Sequence, residues 1–261
     1  MNQIAGQTFL SRRFFALATR IARPLAFQPS RSQIAMTQPP AHRRHMPRHH
    51  VLLLLVLQCL LLPLIACAQP ASGPVEGQDY VVIPDGQRWS SADDRIEVAE
   101  IFAYTCHHCA EFQPQLDAWK RKQPADVRVS QVPAAFSPGD NYARACFAAQ
   151  QLGVLDKLHA PLFRAIHAAQ TVPMSHASAD ELAAFAAGEG IDTAKFKAAM
   201  ASPAVDAMMQ RARQFAIASG LRGTPTLVVD GKYRVQAASH EQALRIAGQL
   251  VAMERAARKR P

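Results

Sequence analysis

An α/β domain whose sheet is interrupted by an all-helical insertion is the architecture this sequence predicts, and three observations carry that prediction. Ile96 to Tyr104 (IEVAEIFAY) is a mostly apolar run of the kind that forms a buried central strand. Apolar residues at helical spacing follow it directly, and Val127 to Val132 then returns to a β-like run, which makes β-α-β. From Asp140 to Gly220 the pattern is helical only, before strand signals resume at Thr226.

Each element has its own local reason. Val81 to Ile83 is a short strand candidate ahead of the central one. After Tyr104, residues Cys109, Phe112, Leu116 and Trp119 recur at helical spacing and give a helix one apolar face against that strand. In the insertion, Tyr142, Cys146, Ala149 and Leu152 form a stripe closed by Gly153, the residue type that ends helices in the left-handed region. Ser178 with Glu181 is a capping box ahead of Leu182, Phe185 and Ala186. Ser202-Pro203 supplies an N-cap and a first-turn proline for a helix carrying Val205, Met208, Met209, Ala212 and Phe215, which Gly220 ends. Met208 and Met209 read as core filler. Thr226 to Val229, the tight turn Asp230-Gly231 and Lys232 to Val235 make a hairpin. Ser239 with Gln242 then caps a last helix that turns Leu244, Ala247 and Val251 inward. The sum is β-α-β, a helical insertion over residues 140–220, then β-β-α, so the α/β domain comprises residues 79–139 and 221–254. Residues 255–261, with Arg255, Arg258, Lys259 and Arg260, read as a basic tail, a solvated helix end favoured by the helix dipole. No internal repeat argues for a solenoid or propeller.

The formal net charge of +9 over 261 residues is unevenly spread. Eight arginines and no acidic residue precede Glu76, and the remaining chain carries 21 basic against 20 acidic residues. The basic isoelectric point therefore describes the leader, and no nucleic-acid partner is expected of the domain. Residues 51–66 (VLLLLVLQCLLLPLIA), preceded by a basic cluster, read as an export signal over residues 46–68. The run is short of the roughly 20 residues a membrane span needs. Two cleavage readings stay open: Ala66-Cys67-Ala68 suits a signal peptidase, whereas Leu64-Ile65-Ala66-Cys67 suits a lipobox that would make Cys67 a lipidated first residue anchored to the membrane. Met46 is expected as the start, with residues 1–45 as a non-native upstream extension. Ser11-Arg12-Arg13-Phe14-Phe15 has the look of a twin-arginine signal, but Arg20 and Arg23 break the apolar stretch that should follow. Residues 69–78, rich in Pro and Gly, read as a flexible stem. The compartment implied is exported and oxidising, most simply a bacterial periplasm, with the protein soluble or lipid-anchored.

Five cysteines are too few for a disulfide scaffold in a chain of this length, and Cys59 and Cys67 fall in the leader. Cys106-His107-His108-Cys109 sits where the buried strand hands over to a helix N-terminus. A thiolate there lies against unpaired backbone N–H groups and the positive end of the helix dipole, and both favour the anion. Cys109 is one turn on, which brings the two sulfurs within disulfide reach. So small a ring gains little from loop closure, so its disulfide is readily donated. Zinc would need four ligands, and no second Cys-x-x-Cys or His-x-x-x-His pair accompanies this one, so no metal site is expected. A permanent bond across two residues would staple nothing. Cys146 reads as a small buried hydrophobe. Glu100, inside an apolar strand, would be costly to ionise and would tend to stay protonated, unless it faces solvent at an edge.

These residues resemble the thioredoxin superfamily, and within it the DsbA family of periplasmic thiol:disulfide oxidoreductases. The resemblance runs roughly from Val75 to Glu254. It rests on Glu100-Ile101-Phe102-Ala103-Tyr104-Thr105 leading into the Cys-x-x-Cys, on the helical insertion, and on Gly223-Thr224-Pro225-Thr226 before the late strand. It implies a thioredoxin-like fold with an inserted all-helical domain and a catalytic role for Cys106, Cys109 and His108. It also makes Pro225 a cis-proline beside the active disulfide, with Thr224 and Pro225 lining a groove for client backbone, and makes Glu100 a relay for the proton of Cys109. His107 is the departure, since the family commonly carries proline there; its imidazole, like that of His108, is a candidate to tune the thiolate by a hydrogen bond or a charge.

The function expected is oxidation of cysteine pairs in exported, folding proteins by donation of the Cys106-Cys109 disulfide, with no cofactor beyond that disulfide. Partners implied by the family are reduced or unfolded protein substrates and a DsbB-type, quinone-linked membrane oxidase. Two alternatives stand beside this: a reductase or isomerase on the same fold, and a client-binding, lipid-anchored scaffold with incidental thiols.

Overall fold

A computed structural model describes residues 73–90 and 92–259. The expectations for the upstream extension, for the export signal with Cys67 and for the stem up to residue 72 lie outside the described residues. The element order is β1 (Tyr80–Val82), β2 (Ile96–Phe102), α1 (His107–Lys120), β3 (Val127–Pro133), α2 (Asn141–Gln151), α3 (Leu155–His167), α4 (Ala179–Gly188), α5 (Thr193–Met200), α6 (Pro203–Ala218), β4 (Thr226–Val229), β5 (Tyr233–Val235) and α7 (His240–Arg258). One mixed sheet runs in the order β1-β5-β4-β2-β3, with β2 parallel to β3 and antiparallel to β4. Among the described residues no helix is long and apolar enough to cross a membrane.

β2 is central because every one of its residues is buried, and the strand alternation sends successive side chains to opposite layers. Ile96 and Val98 pack with Phe112 and Leu116 of α1 and with Leu250 and Val251 of α7. Ala99 and Ile101 pack with Val205, Met209 and Ala212 of α6. Phe102 ends the strand in a third cluster shared with the insertion, where Leu158, Leu162, Ile166, Leu182 and Phe196 meet Tyr104 and Cys109. The Cys106–Cys109 segment thus lies at the joint between the sheet and the inserted helices.

The expected caps are present. Ser178 and Glu181 exchange both capping-box bonds, Ser202 accepts from the Val205 N–H with Pro203 in the first turn, and Ser239 accepts from the Gln242 N–H. The carboxamide of Gln242 reaches the Ala238 N–H, one residue before the N-cap. Two insertion helices had no expected counterpart of their own. α3 starts at Val154 without a side-chain cap and carries Pro161 within it, so its start has no local chemical mark. α5 does have one, since Asp192 accepts from the Lys195 N–H.

Two expectations are corrected. The stem read over residues 69–78 is not free to its end: the Asp79 N–H bonds the Val75 carbonyl at 2.8 Å, and Gln236 Nε2 donates to the Gly77 carbonyl at 3.1 Å. The basic residues read as a helix end do form one, since α7 runs through Arg258, and only the tail's starting bound at residue 255 is displaced. Arg255 makes a two-pronged pair with Asp126, Nε and Nη2 each reaching one oxygen at 2.5 and 2.9 Å, whereas Arg258 Nη2 alone reaches both oxygens of Asp230 at 2.8 and 2.9 Å. Carboxylates, at fork geometry in the case of Arg255, hold these cations in addition to the helix dipole.

The β4–β5 hairpin closes through Lys232 N–H to the Val229 carbonyl at 2.9 Å, with φ of 51° at Asp230 and 70° at Gly231. Both central residues of this turn are left-handed, and Lys232 completes the loop between the paired Val229 and Tyr233. A Cβ on Gly231 would lie 2.2 Å from the Gln87 carbonyl carbon and 2.4 Å from the Arg88 nitrogen, backbone atoms that cannot swing aside. Gly231→Ala should therefore cost more than about 2 kcal/mol in urea denaturation, combining left-handed strain with the clash. Gly139→Ala, with nothing within 4 Å of its Cβ, should stay within about 1 kcal/mol of wild type.

Candidate active site

Cys106 occupies the N-cap position of α1 in extended geometry, with φ of −87° and ψ of 116°. Local sequence puts it there: β2 ends at Phe102, the Cys106 N–H closes a turn on the Ala103 carbonyl at 3.1 Å, and its carbonyl then accepts the Cys109 N–H at 3.1 Å. The Cys106 side chain does not cap the helix. Its Sγ instead lies 3.2 Å from the Thr224 carbonyl, to which it donates. Thr224–Pro225 is a cis peptide bond, as the resemblance implied. Residues 118 positions apart in the chain thus meet at one sulfur.

The two cysteines of the motif, unbridged in this structure, differ sharply in setting. Cys106 is half-buried, whereas Cys109 is 0% exposed and sits in the cluster with Phe102 and Tyr104. Burial pushes the Cys109 thiol well above the ordinary thiol range. The reachable sulfur is therefore Cys106, and Cys109 holds its proton beneath it. Cys146 is also free and fully buried, and burial raises it likewise, in keeping with its reading as a core side chain.

His107 and His108 are brought next to Cys106 by chain position but turn outward. Their side chains are 68% and 74% exposed, and both bond one carboxylate: His107 Nε2 to Glu111 Oε1 at 3.1 Å and His108 Nδ1 to Glu111 Oε2 at 3.3 Å. Of the two tuning routes open to them, a hydrogen bond or a charge, the direct hydrogen bond to Cys106 is not formed in this arrangement, and one nitrogen of each ring is engaged by Glu111 instead. Glu111 was not singled out in the sequence, although its spacing of three and four residues from the two histidines is the signal for it. The His108 hydrogen bond, ahead of the charges around it, lowers the Glu111 carboxyl.

Glu100 faces inward, not to solvent. It is 0% exposed, and neither carboxylate oxygen has a hydrogen-bond partner among the described residues. Burial, with a smaller contribution from Asp117, pushes its carboxyl up to about 8. The contrast with Glu97 on the same strand is instructive. Glu97, 1% exposed, accepts from the Ser90 N–H at 3.0 and 3.1 Å and from Ser130 Oγ at 2.6 Å. One buried carboxylate is fully satisfied, and the other is left bare on the side of β2 that carries Phe102 and the Cys109 cluster.

Beside Cys106 a groove of about 830 Å³ is lined by His108, Phe112, Thr224, Pro225, Leu227 and His240, among others. Thr224 and Pro225, expected to line a groove for client backbone, lie along this one. His240, from the start of α7, was not anticipated; its ring lies 6.3 Å from that of His108 and 5.0 Å from that of Phe112.

Comparison with known proteins accords with this geometry. Residues 97–247 match a family model described as a DSBA-like thioredoxin domain. The thiol:disulfide interchange protein DsbA of Pseudomonas aeruginosa is 34% identical over 212 residues, covering 80% of this chain and 99% of that protein. The protein of the same description from Azotobacter vinelandii is 37% identical over 185 residues, covering 69% and 85%. Among solved structures, the oxidoreductase DsbA from Xylella fastidiosa is 46% identical with a TM-score of 0.68, covering 70% of this chain and 98% of that one. These likenesses bear out the thioredoxin-like fold with its helical insertion. A match that takes in the central strand, both cysteines of the motif and every inserted helix leads to one conclusion: the chain belongs to the DSBA-like thioredoxin family.

Proposed function

We propose that this protein is a thiol:disulfide oxidoreductase that oxidises cysteine pairs in exported, folding proteins by donating a Cys106–Cys109 disulfide. The observation that carries the reading is the pairing of a reachable Cys106 at the N-terminus of α1 with a Cys109 buried beneath it, beside the Thr224–Pro225 segment. A client thiolate attacks Cys106 Sγ; the bond to Cys109 breaks, and Cys109 leaves as a thiolate that takes up a proton. A second client thiolate then attacks the client sulfur of the mixed disulfide and expels Cys106 as its thiolate. The client gains one disulfide, and the protein is left as the dithiol. The helix N-terminus favours this release because it stabilises the departing sulfur anion.

In this reading Thr224 and Pro225 hold client backbone along the groove, and Glu100 supplies or takes the proton at Cys109. His107 and His108 tune the centre through the carboxylate of Glu111. The disulfide is the only redox group required of this chain. Reoxidation passes two electrons to a quinone-linked membrane oxidase of the DsbB type. The protein works in a bacterial periplasm, soluble or anchored through a lipid on Cys67, as its leader suggests. His107 in place of the family's proline keeps a reductase or isomerase as the second reading. The equilibrium potential against glutathione separates the directions: a value near that of thioredoxin would overturn the oxidase.

Cys106→Ser should abolish oxidation of reduced ribonuclease, whereas the reaction of Cys109→Ser with client should accumulate mixed disulfides visible on non-reducing gels. Equal residual activity in both variants would contradict the division of roles. His107→Pro should move the potential by tens of millivolts, about 30 mV corresponding to a tenfold change in the equilibrium constant; an unchanged value would remove His107 from the tuning.

Glu100 gives a pH signature of stability. Its carboxyl holds a proton up to about 8 in the folded protein but ionises near 4.5 when exposed. The folded state then binds more protons than the unfolded state across that window. The associated stability is fully present below pH 4.5 and is lost as pH rises through about 8. Relative to Glu100→Gln, the wild type should lose on the order of 4 kcal/mol over this range, read by urea denaturation at stepped pH. A difference that stays flat with pH would show that Glu100 is not a buried neutral acid.

A further inference from the structure

The residues just outside the Cys-x-x-Cys are held by a part of the molecule that the proposed chemistry does not use. Tyr104, two positions before Cys106, is 1% exposed. Its hydroxyl meets His159 Nδ1 at 2.7 Å, and its backbone carbonyl accepts from His167 Nε2 at 2.7 Å. Both histidines belong to α3, about two turns apart, so one helix of the insertion grips both the side-chain and the backbone oxygen of the same residue. His159 continues the chain: its Nε2 meets Gln113 Oε1 at 2.8 Å, and Gln113 Nε2 donates to Asp117 Oδ1 at 3.0 Å. Gln113 lies four positions after Cys109, one turn further along α1. His159 therefore ties the residue before the motif to the residue after it.

The direction of every donor follows from the end of the chain. The Asp117 carboxylate accepts from the Gln113 amide, which leaves Gln113 Oε1 to accept; His159 then carries its proton on Nε2, and Nδ1 accepts from the Tyr104 hydroxyl. A neutral imidazole is required for this pattern. Burial holds His159 neutral, with its protonation pushed down to about 3. The ring is further fixed by Phe102 at 4.9 Å and by Phe163 at 5.3 Å between centroids. A carboxamide in the middle passes no proton without changing its own bonding, so this chain is a brace and not a proton wire. Buried polar groups with one satisfied arrangement specify a single geometry for the segments they join.

We propose that His159 and His167 are positioning residues of the redox centre: by holding both oxygens of Tyr104, α3 fixes the turn that presents Cys106 to the N-terminus of α1. The inference rests on the reading of Cys106 as the reacting thiol. It gives the insertion a duty in the chemistry, because a sulfur stabilised by a helix end depends on its distance and angle to that end. Loosening the turn should lessen thiolate stabilisation at Cys106, disfavour the dithiol and make the disulfide less oxidising.

The test compares His159→Leu, His167→Phe and the near-isosteric Tyr104→Phe with Met209→Ala, a core truncation in the cluster on the other face of β2. Three quantities are read on each full-length protein: the thiolate absorbance of Cys106 across pH, the equilibrium constant with glutathione, and the melting temperature. The three brace variants should lower the thiolate fraction at neutral pH and shift the glutathione equilibrium roughly three- to tenfold toward the retained disulfide, the scale of one hydrogen bond. Met209→Ala should lower the melting temperature and leave the other two quantities at wild-type values. His159→Gln, which keeps a donor and an acceptor, should recover part of the shift. Brace variants that lose stability but match wild type in both thiolate absorbance and equilibrium constant would overturn the proposal. Should His159→Leu fail to fold, Tyr104→Phe decides by the same two quantities. A wild type unable to oxidise reduced ribonuclease would sink the oxidase reading, while the thiolate absorbance would still judge the brace.

Discussion

The redox centre depends on a cysteine standing where a helix ordinarily wants an oxygen. The N-cap of α1 is filled by Cys106, whose side chain accepts nothing from the first turn, and that turn contains no acidic residue. Ser, Thr, Asp or Asn in this place would satisfy one of the open backbone N–H groups and blunt the field. With Cys106 the field falls on sulfur instead. The strand before it, the turn on Ala103 and the Thr224 carbonyl all serve to keep that sulfur at the helix end. The elements most remote in sequence, α3 and the segment before β4, supply much of the restraint.

The second constraint is the steep change of environment across one helical turn. Cys106 is within reach of a client, whereas Cys109 lies in a cluster with Phe102, Tyr104 and the insertion helices. On that difference the proposed chemistry assigns attack to one sulfur and departure to the other. Beneath them β2 buries two carboxylates. The hydrogen bonds of Glu97 to Ser90 and Ser130 make it a structural anchor, and the bare oxygens of Glu100 make it the group whose protonation is sensitive to its surroundings. Burial alone does not decide whether a strand carboxylate keeps its proton; the count of donors around it does.

Much of the fold was legible because its elements carry their own marks. The mostly apolar run of β2, the capping box at Ser178, Pro203 in a first turn and Asp230-Gly231 each state a local conformation through sterics or hydrogen bonding that neighbours in the chain provide. α3 lacked such a mark at its start, since Val154 caps nothing and Pro161 lies inside the helix, although Leu158, Leu162, Phe163 and Ile166 keep helical spacing. The Asp192 cap of α5 was legible in principle and went unread. At the site, the Cys-x-x-Cys, Pro225 and Glu100 were visible as residue types in an unusual context. Tyr104, His159 and His167 were not, because 55 and 63 residues separate Tyr104 from the two histidines that hold it, and no periodicity spans that distance.

By itself the sequence determined an α/β chain with a helical interruption, a pair of cysteines at the entry to a helix, and a charge imbalance confined to the leader. These follow from interactions over a few residues, which composition and spacing express directly. Only the tertiary structure decided which cysteine is half-buried and which fully buried, that Glu100 has no partner among the described residues while Glu97 has three hydrogen bonds, and that the two histidines of the motif turn to Glu111. Solvation and hydrogen-bond pairing are set by what the rest of the chain brings into contact, and those contacts exist only after the insertion has packed against the strand it interrupts.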